Sequence, residues 1–113
     1  QLMSELGAKI KVVERMKIQS YLSDASTIIN TASLGMVGKT DIPIPLNALK
    51  KNTLVTDIVY TPIETHLLVT AAKMGCRTVD GLGMLIHQAI PGFERWFGIK
   101  PGDSQALREL LIK

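Results

Sequence analysis

The sequence has a single cysteine, Cys76, in 113 residues. One thiol excludes an internal disulfide and any thiolate-rich zinc site. Aromatic side chains are scarce as well: two Tyr, two Phe and one Trp are too few for the stacking platforms that bind single-stranded nucleic acid. No block of like charge occurs. Thirteen Lys+Arg against ten Asp+Glu leave a formal net charge of +3, scattered along the chain, which is not the basic stripe of a nucleic-acid-binding surface. No apolar run reaches the ~18 residues of a transmembrane helix, and no signal-peptide pattern opens the sequence. The expectation is a cytoplasmic protein with neither nucleic acid nor membrane as partner. What is present suits a folded domain: 46% hydrophobic and 20% charged residues, at a length that fits one compact unit. The opening Gln1-Leu2-Met3-Ser4-Glu5-Leu6 reads as the interior of a helix, with Gly7 as its stop.

Short apolar runs then alternate with helical patterns. Residues 8–13 read as a strand carrying Ile10, Val12 and Val13, and residues 16–22 as a helical turn carrying Met16, Ile18, Tyr21 and Leu22. Residues 26–31, β-branched and short, have the signature of a buried strand. A small-residue loop follows at 32–38, and Pro43 and Pro45 keep the next stretch extended. Residues 53–60 form the strongest strand pattern. Pro62 ends it, and a helix starting near Glu64 buries Leu67, Leu68, Ala71 and Ala72. Residues 76–79 make one more short strand. Asp80 caps a helix from Gly81 whose Leu82, Leu85, Ile86, Ala89 and Ile90 share one face; Pro91-Gly92 is expected to kink or interrupt it, and it resumes to Gly98. A last amphipathic helix at 104–112 points Ala106, Leu107, Leu110 and Leu111 inward. The order implies an α/β fold, a βαβαβ array around a largely parallel sheet with helices on both faces. Such a sheet, if incomplete, leaves apolar surface unpaired.

Ligands of open α/β sheets bind beyond the carboxyl ends of the strands. Three such ends carry small or polar residues here: 30–35, 60–62 and 80–83. On the helix after Asp80, at about 100° per residue, Met84 falls at about 300° and Gln88 at about 340° from Gly81. A bare backbone, a soft thioether and an amide in one row suit a flat ligand with polar substituents. They equally suit a glycine near a helix start, a surface methionine and a solvated glutamine, and spacing alone leaves both readings open. No catalytic constellation is complete. His66 and His87 read as solvated helix residues and have no metal-ligand spacing. Cys76 reads as buried and inert, and Asp57 and Asp80 as residues that hold backbone. Gly81-Leu82-Gly83 is not a dinucleotide phosphate loop, because residue 86 is Ile where a third glycine is needed.

Three segments, Asn30-Thr31-Ala32-Ser33-Leu34-Gly35-Met36, Asp57-Ile58-Val59-Tyr60-Thr61-Pro62-Ile63-Glu64-Thr65 and Asp80-Gly81-Leu82-Gly83-Met84-Leu85-Ile86-His87-Gln88-Ala89, together resemble consecutive motifs of the shikimate dehydrogenase family. Phe93-Glu94-Arg95-Trp96-Phe97-Gly98 is similar to that family's end-helix pattern. The resemblance covers essentially the whole chain and implies the C-terminal part of such an enzyme. Residues 1–79 would then be the later half of an NADP-binding Rossmann-like domain, and 80–113 a helical segment that packs toward an N-terminal substrate domain. The implied reaction is NADPH-dependent reduction of 3-dehydroshikimate to shikimate, on the route to chorismate and the aromatic amino acids. The family's catalytic Lys and Asp, its phosphate loop and its 2′-phosphate motif have no counterpart in these residues, so no catalytic role is assigned here.

By the same resemblance, Ile58 packs near the nicotinamide, the Gly81 carbonyl holds its carboxamide, and Met84 lies against the ring. Thr31, Ala32 and Ser33 line the cofactor, while Tyr60 and Gln88 bind shikimate. The implied cofactor is NADP (as NADPH); no metal is implied. Implied partners are shikimate or 3-dehydroshikimate, and either a second copy of the chain or the missing N-terminal domain. Two departures stand out: Ala32 occupies a position where the family often has a hydroxyl, and His66 one where proline is usual. A relative that acts on quinate or uses NAD, and a non-catalytic interaction fragment, are the alternative readings. The fragment alone is expected to be inactive.

Overall fold

The computed structural model describes residues 9–102 and 104–112; the helix expected over Leu2, Met3, Leu6 and Gly7 lies outside them. Three parallel strands, β1 (Thr27–Asn30), β2 (Leu54–Asp57) and β3 (Arg77–Val79), form one sheet in that order. A short helix, α1 (Ile18–Leu22), precedes β1. The crossover from β1 to β2 has no α-helix: turns and bends fill 32–39, and a 3-10 turn at Leu46–Ala48 follows the stretch holding Pro43 and Pro45. Helix α2 (His66–Lys73) links β2 to β3, and α3 (Gly81–Phe97) and α4 (Ser104–Leu111) follow.

The register explains which side chains are covered. Ile28, Val55 and Thr78 stand in one row across the sheet, and Ile29, Thr56 and Val79 in the next. Successive side chains of a strand point to opposite faces, so the two rows face opposite ways. The first joins the core at two of its members: Val55 is fully buried among Leu22, Leu46, Leu49, Leu67, Leu68 and Ala71, with Ile28 packed against them, while Thr78 on β3 is exposed. The second row is bare, with Ile29 59% and Val79 50% exposed. The parallel α/β architecture is therefore as expected, and among the described residues α2 and the 3-10 segment cover one face of it.

Several local expectations are corrected. Residues 9–13 form no strand: Ile10 and Val12 are exposed, and an isolated extended segment needs a neighbour to satisfy its backbone. β2 stops at Asp57 and not at residue 60, because the Val59 N–H turns back to the Asp57 carboxylate, 3.0 Å away. Helix α2 starts at His66, one turn-residue past its cap Thr65, whose hydroxyl accepts from the Leu68 N–H; threonine is a far better cap than Ile63. Ala72 is exposed. Helix α3 runs unbroken through Pro91 to Phe97. Proline removes one backbone donor, but Pro91 is exposed and Phe93 and Phe97 stack one turn apart with ring centroids at 4.5 Å beyond it. Gly98, at φ +69°, ends the helix, its N–H bonded to the Glu94 carbonyl at 2.8 Å. The apolar stripe of α4 is not buried: Ala106, Leu107, Leu110 and Leu111 are all exposed, although Leu107 shares a cleft with Ile86, Ala89, Ile90 and Phe93 of α3.

Leu67 is 2% exposed at the centre of the α2–sheet contact. Leu67→Ala is expected to lower stability by about 2–5 kcal/mol through lost burial and the residual cavity, as read from the midpoint of urea unfolding at unchanged m-value.

Candidate functional site

The carboxyl ends of β1 and β2 lie side by side, with Asn30 in register with Asp57. Both are polar, and both are buried, at 4% and 1% exposure. The Asp57 Oδ1 accepts from Asn30 Nδ2 at 2.9 Å and from the Val59 N–H at 3.0 Å; its Oδ2 accepts from the Thr65 hydroxyl at 2.8 Å. Asn30 completes its own bonds locally. Its Oδ1 accepts from the Ala32 N–H at 3.0 Å and its Nδ2 also reaches the Leu34 carbonyl at 3.3 Å. Asp57 thus holds backbone at Val59, as its position suggests.

These bonds bend both chains away from the sheet and leave a cleft of about 300 Å³ between the two bends. Thr31, Ala32, Ser33 and Met36 line it from the β1 side, and Ile58, Val59, Tyr60 and Thr61 from the β2 side. The Val37 N–H bonds the Thr61 carbonyl at 3.3 Å and ties the two loops together. The Thr61–Pro62 peptide bond is cis. Alanine at position 32 does not leave its backbone unpaired, since the N–H is taken up by Asn30.

The third strand end brings in the start of α3. Asp80 caps it, accepting from the Leu82 N–H at 3.0 Å. Gly81 is buried, and a Cβ there would stand 2.6 Å from the Ile58 carbonyl carbon and 2.7 Å from the Val59 oxygen. Only glycine lets the helix sit this close to the cleft wall. Of the residues singled out from sequence, Thr31, Ala32, Ser33, Ile58 and Tyr60 meet at the cleft, and Gly81 presses on it from behind. Met84 and Gln88, farther along α3, are exposed and are not part of its lining.

Sequence reasoning missed two partners. Thr65 shares the Asp57 carboxylate, and Arg108 on α4 grips Asp80 with both nitrogens, one at 3.0 Å and the other paired with Oδ2. The available signal for Thr65 was its place as a helix cap; for Arg108, on an otherwise apolar stripe 28 residues away, there was none. The hydrogen bond from Arg108, then its charge, holds the Asp80 carboxyl below the ordinary 3.8, against the opposing effect of burial. Burial pushes the Cys76 thiol up, which favours an inert, protonated sulfur. His66, at the first position of α2, and His87 are exposed. Among the described residues no group of three His, Cys, Asp or Glu could hold a metal ion, and no helix is long and apolar enough to cross a membrane.

Residues 81–111 match the family model described as the Shikimate 5′-dehydrogenase C-terminal domain. Over 98% of its length the chain is 57% identical to a shikimate dehydrogenase (NADP(+)) of Cereibacter sphaeroides, and over 99% it is 47% identical to that of Roseobacter denitrificans. It spans about two fifths of the length of these curated relatives, 40% in each case. Among solved structures it is similar to the quinate dehydrogenase of Corynebacterium glutamicum in complex with NAD, with a TM-score of 0.85 at 33% identity, covering 98% of this chain and 39% of that one. It is also similar to the shikimate 5-dehydrogenase of Thermus thermophilus in complex with NADP(H) and shikimate, with a TM-score of 0.72 at 27% identity, covering 89% of this chain and 36% of that one.

Two outcomes follow from the geometry. Gly81→Ala is expected to destabilise the fold by about 1–3 kcal/mol, because the new methyl meets fixed backbone; thermal unfolding of the two proteins measures it. The lowered pKa of Asp80 gives a stability contribution that is complete above about 3.8 and is lost as pH falls through the lowered value. Arg108→Gln removes the main cause of that shift, so the acid limb of its stability–pH curve is expected to be shallower than that of the parent.

Proposed function

We propose that this chain, a homologue of the C-terminal part of shikimate dehydrogenases, supplies the nicotinamide and substrate side of an enzyme that reduces 3-dehydroshikimate to shikimate with NADPH. The observation that carries the reading is the cleft at the ends of β1 and β2, lined by residues of the first two matching motifs and backed by Gly81 of the third. In this reading residues 1–79 are the later half of the dinucleotide-binding domain. Residues 80–113 are a helical segment directed at a substrate domain, with a second copy of the chain as the other candidate partner. The setting is the cytoplasm.

The residues fit the ring end of a nicotinamide cofactor. A cleft of about 300 Å³ is at the lower end of ligand-pocket sizes, right for one flat ring and its carboxamide but not for a whole dinucleotide. Ala32, Met36, Ile58 and Val59 offer apolar surface, and Thr31, Ser33, Tyr60 and Thr61 offer polar groups around it. When bound, NADPH supplies a hydride to the substrate ketone. Ile58, in the cleft lining, orients the nicotinamide; the Gly81 carbonyl and Met84 stand outside that lining and are assigned to the carboxamide and the ring by the family resemblance alone. Tyr60 and Gln88 hydrogen-bond the hydroxyls of shikimate and so fix which carbon is presented. The proton-transfer groups and the phosphate-binding loop come from outside these 113 residues, so the chain alone is expected to show no turnover.

The test is NADP-dependent oxidation of shikimate by the intact protein that carries this chain, with NAD and quinate as comparison arms. Activity with shikimate and NADP is expected, and its absence, or preference for quinate or NAD, overturns the assignment. Gln88→Leu removes one hydrogen bond to the substrate and is expected to raise KM for shikimate on the order of tenfold. KM for NADP should stay within about twofold.

A further inference from the structure

Asp57 is a buried carboxylate to which the reaction above gives no role. It is 1% exposed, and each of its hydrogen bonds comes from a neutral donor: the Asn30 amide, the Val59 N–H and the Thr65 hydroxyl. Taking a carboxylate out of water without a cation is expensive, and an apolar residue of similar volume is often the more stable choice for such a position. Thr65 relieves part of that expense. It caps α2, so its hydroxyl carries the carboxylate to a helix N-terminus, where the partial positive charge of the backbone favours an anion.

The bonds that remain explain what the group holds. Asn30 joins Asp57 at 2.9 Å and, with its other end, takes the Ala32 N–H at 3.0 Å. Asp57 takes the Val59 N–H at 3.0 Å. Ala32 and Val59 line the cleft from its two sides, and the path between their amides runs through this one side-chain pair. We infer that the chain Asn30–Asp57–Thr65 is the positioning network of the cleft: it sets the spacing of the two walls and so the fit of the nicotinamide end of the cofactor. None of the three touches the reacting atoms. The consequence for catalysis rests on the function proposed above, while the coupling of the two walls does not.

A double-mutant cycle on the intact protein separates positioning from plain stability. Asn30→Ala and Thr65→Ala each interrupt the chain, and each is expected to raise KM for NADP on the order of tenfold with a smaller change in kcat. Because they break one network, the double variant should raise KM little further, whereas independent packing defects multiply. Thr65→Ser is the control: it loses the methyl but keeps the hydroxyl that bonds Asp57, and it should restore the parent KM. Multiplying effects, or a serine variant as impaired as alanine, overturn the inference. Hydrogen exchange gives a readout that needs no activity. Thr65→Ala, and not Thr65→Ser, should speed exchange at residues 31–33 on the far wall as well as at 58–60. Acceleration confined to 58–60 overturns the coupling. If the parent neither binds NADP nor oxidises shikimate, the proposed function fails, and exchange alone then decides whether the walls are coupled. Should Thr65→Ala not fold, Asn30→Ser replaces it in the same comparison, with residues 58–60 as the far wall.

Discussion

A carboxylate taken out of water must be met by donors from its own fold, and at Asp57 those donors come from three different segments: the end of β1, the turn after β2 and the first residue before α2. That requirement shapes the end of the sheet. It stops β2 by drawing the Val59 N–H out of the ladder, fixes the Asn30 amide so that its oxygen is free for the next turn, and anchors the cap of the helix that buries Leu67, Leu68 and Ala71. Removing one member leaves a buried polar group unpaired, which costs about 1–3 kcal/mol beyond the bond itself. The cleft, the turn and the helix start are thus one structural decision.

The second constraint is the close approach at Gly81. The sheet ends in a turn held by Asp57, and α3 rests directly on the backbone of that turn. The same helix is tied at its cap to α4 through Asp80 and Arg108. A rigid wall backed by a helix, which is itself pinned from behind, is what a site needs if a ring is to be held in one orientation. The open row Ile29, Thr56 and Val79 and the exposed stripe of α4 contrast with this order. The chain spans about two fifths of the length of its curated relatives, and among the described residues Ile29, Val79 and the α4 leucines stay exposed.

Much of this was legible in the residues. The β-branched runs place all three strands, and the cap Asp80 follows from a short polar residue ahead of helical periodicity. The row Gly81, Met84, Gln88 follows from helical spacing, and the resemblance marked Thr31, Ala32, Ser33, Ile58 and Tyr60 before the cleft was seen. The failures have physical causes. Residues 9–13 have the composition of a strand but no strand to pair with among the described residues. Pro91 breaks one bond of a helix whose aromatic stacking beyond it is enough to carry on. The stripe of α4 is amphipathic, yet periodicity names a face and not the partner that covers it. Asn30, Thr65 and Arg108 act through contacts 8 to 28 residues apart, and such pairings are visible only once the strands are in register.

The central claim is that the cleft between residues 31–36 and 58–61 receives the nicotinamide end of the cofactor, with the exposed face of α3 meeting the substrate. Titration of the isotope-labelled intact protein with NADP and then shikimate tests it directly. The account predicts that NADP moves the amide resonances of residues 31–33, 58–60 and 81, and that shikimate then moves those of Tyr60 and Gln88. Saturable binding of both ligands that leaves these resonances in place would contradict it.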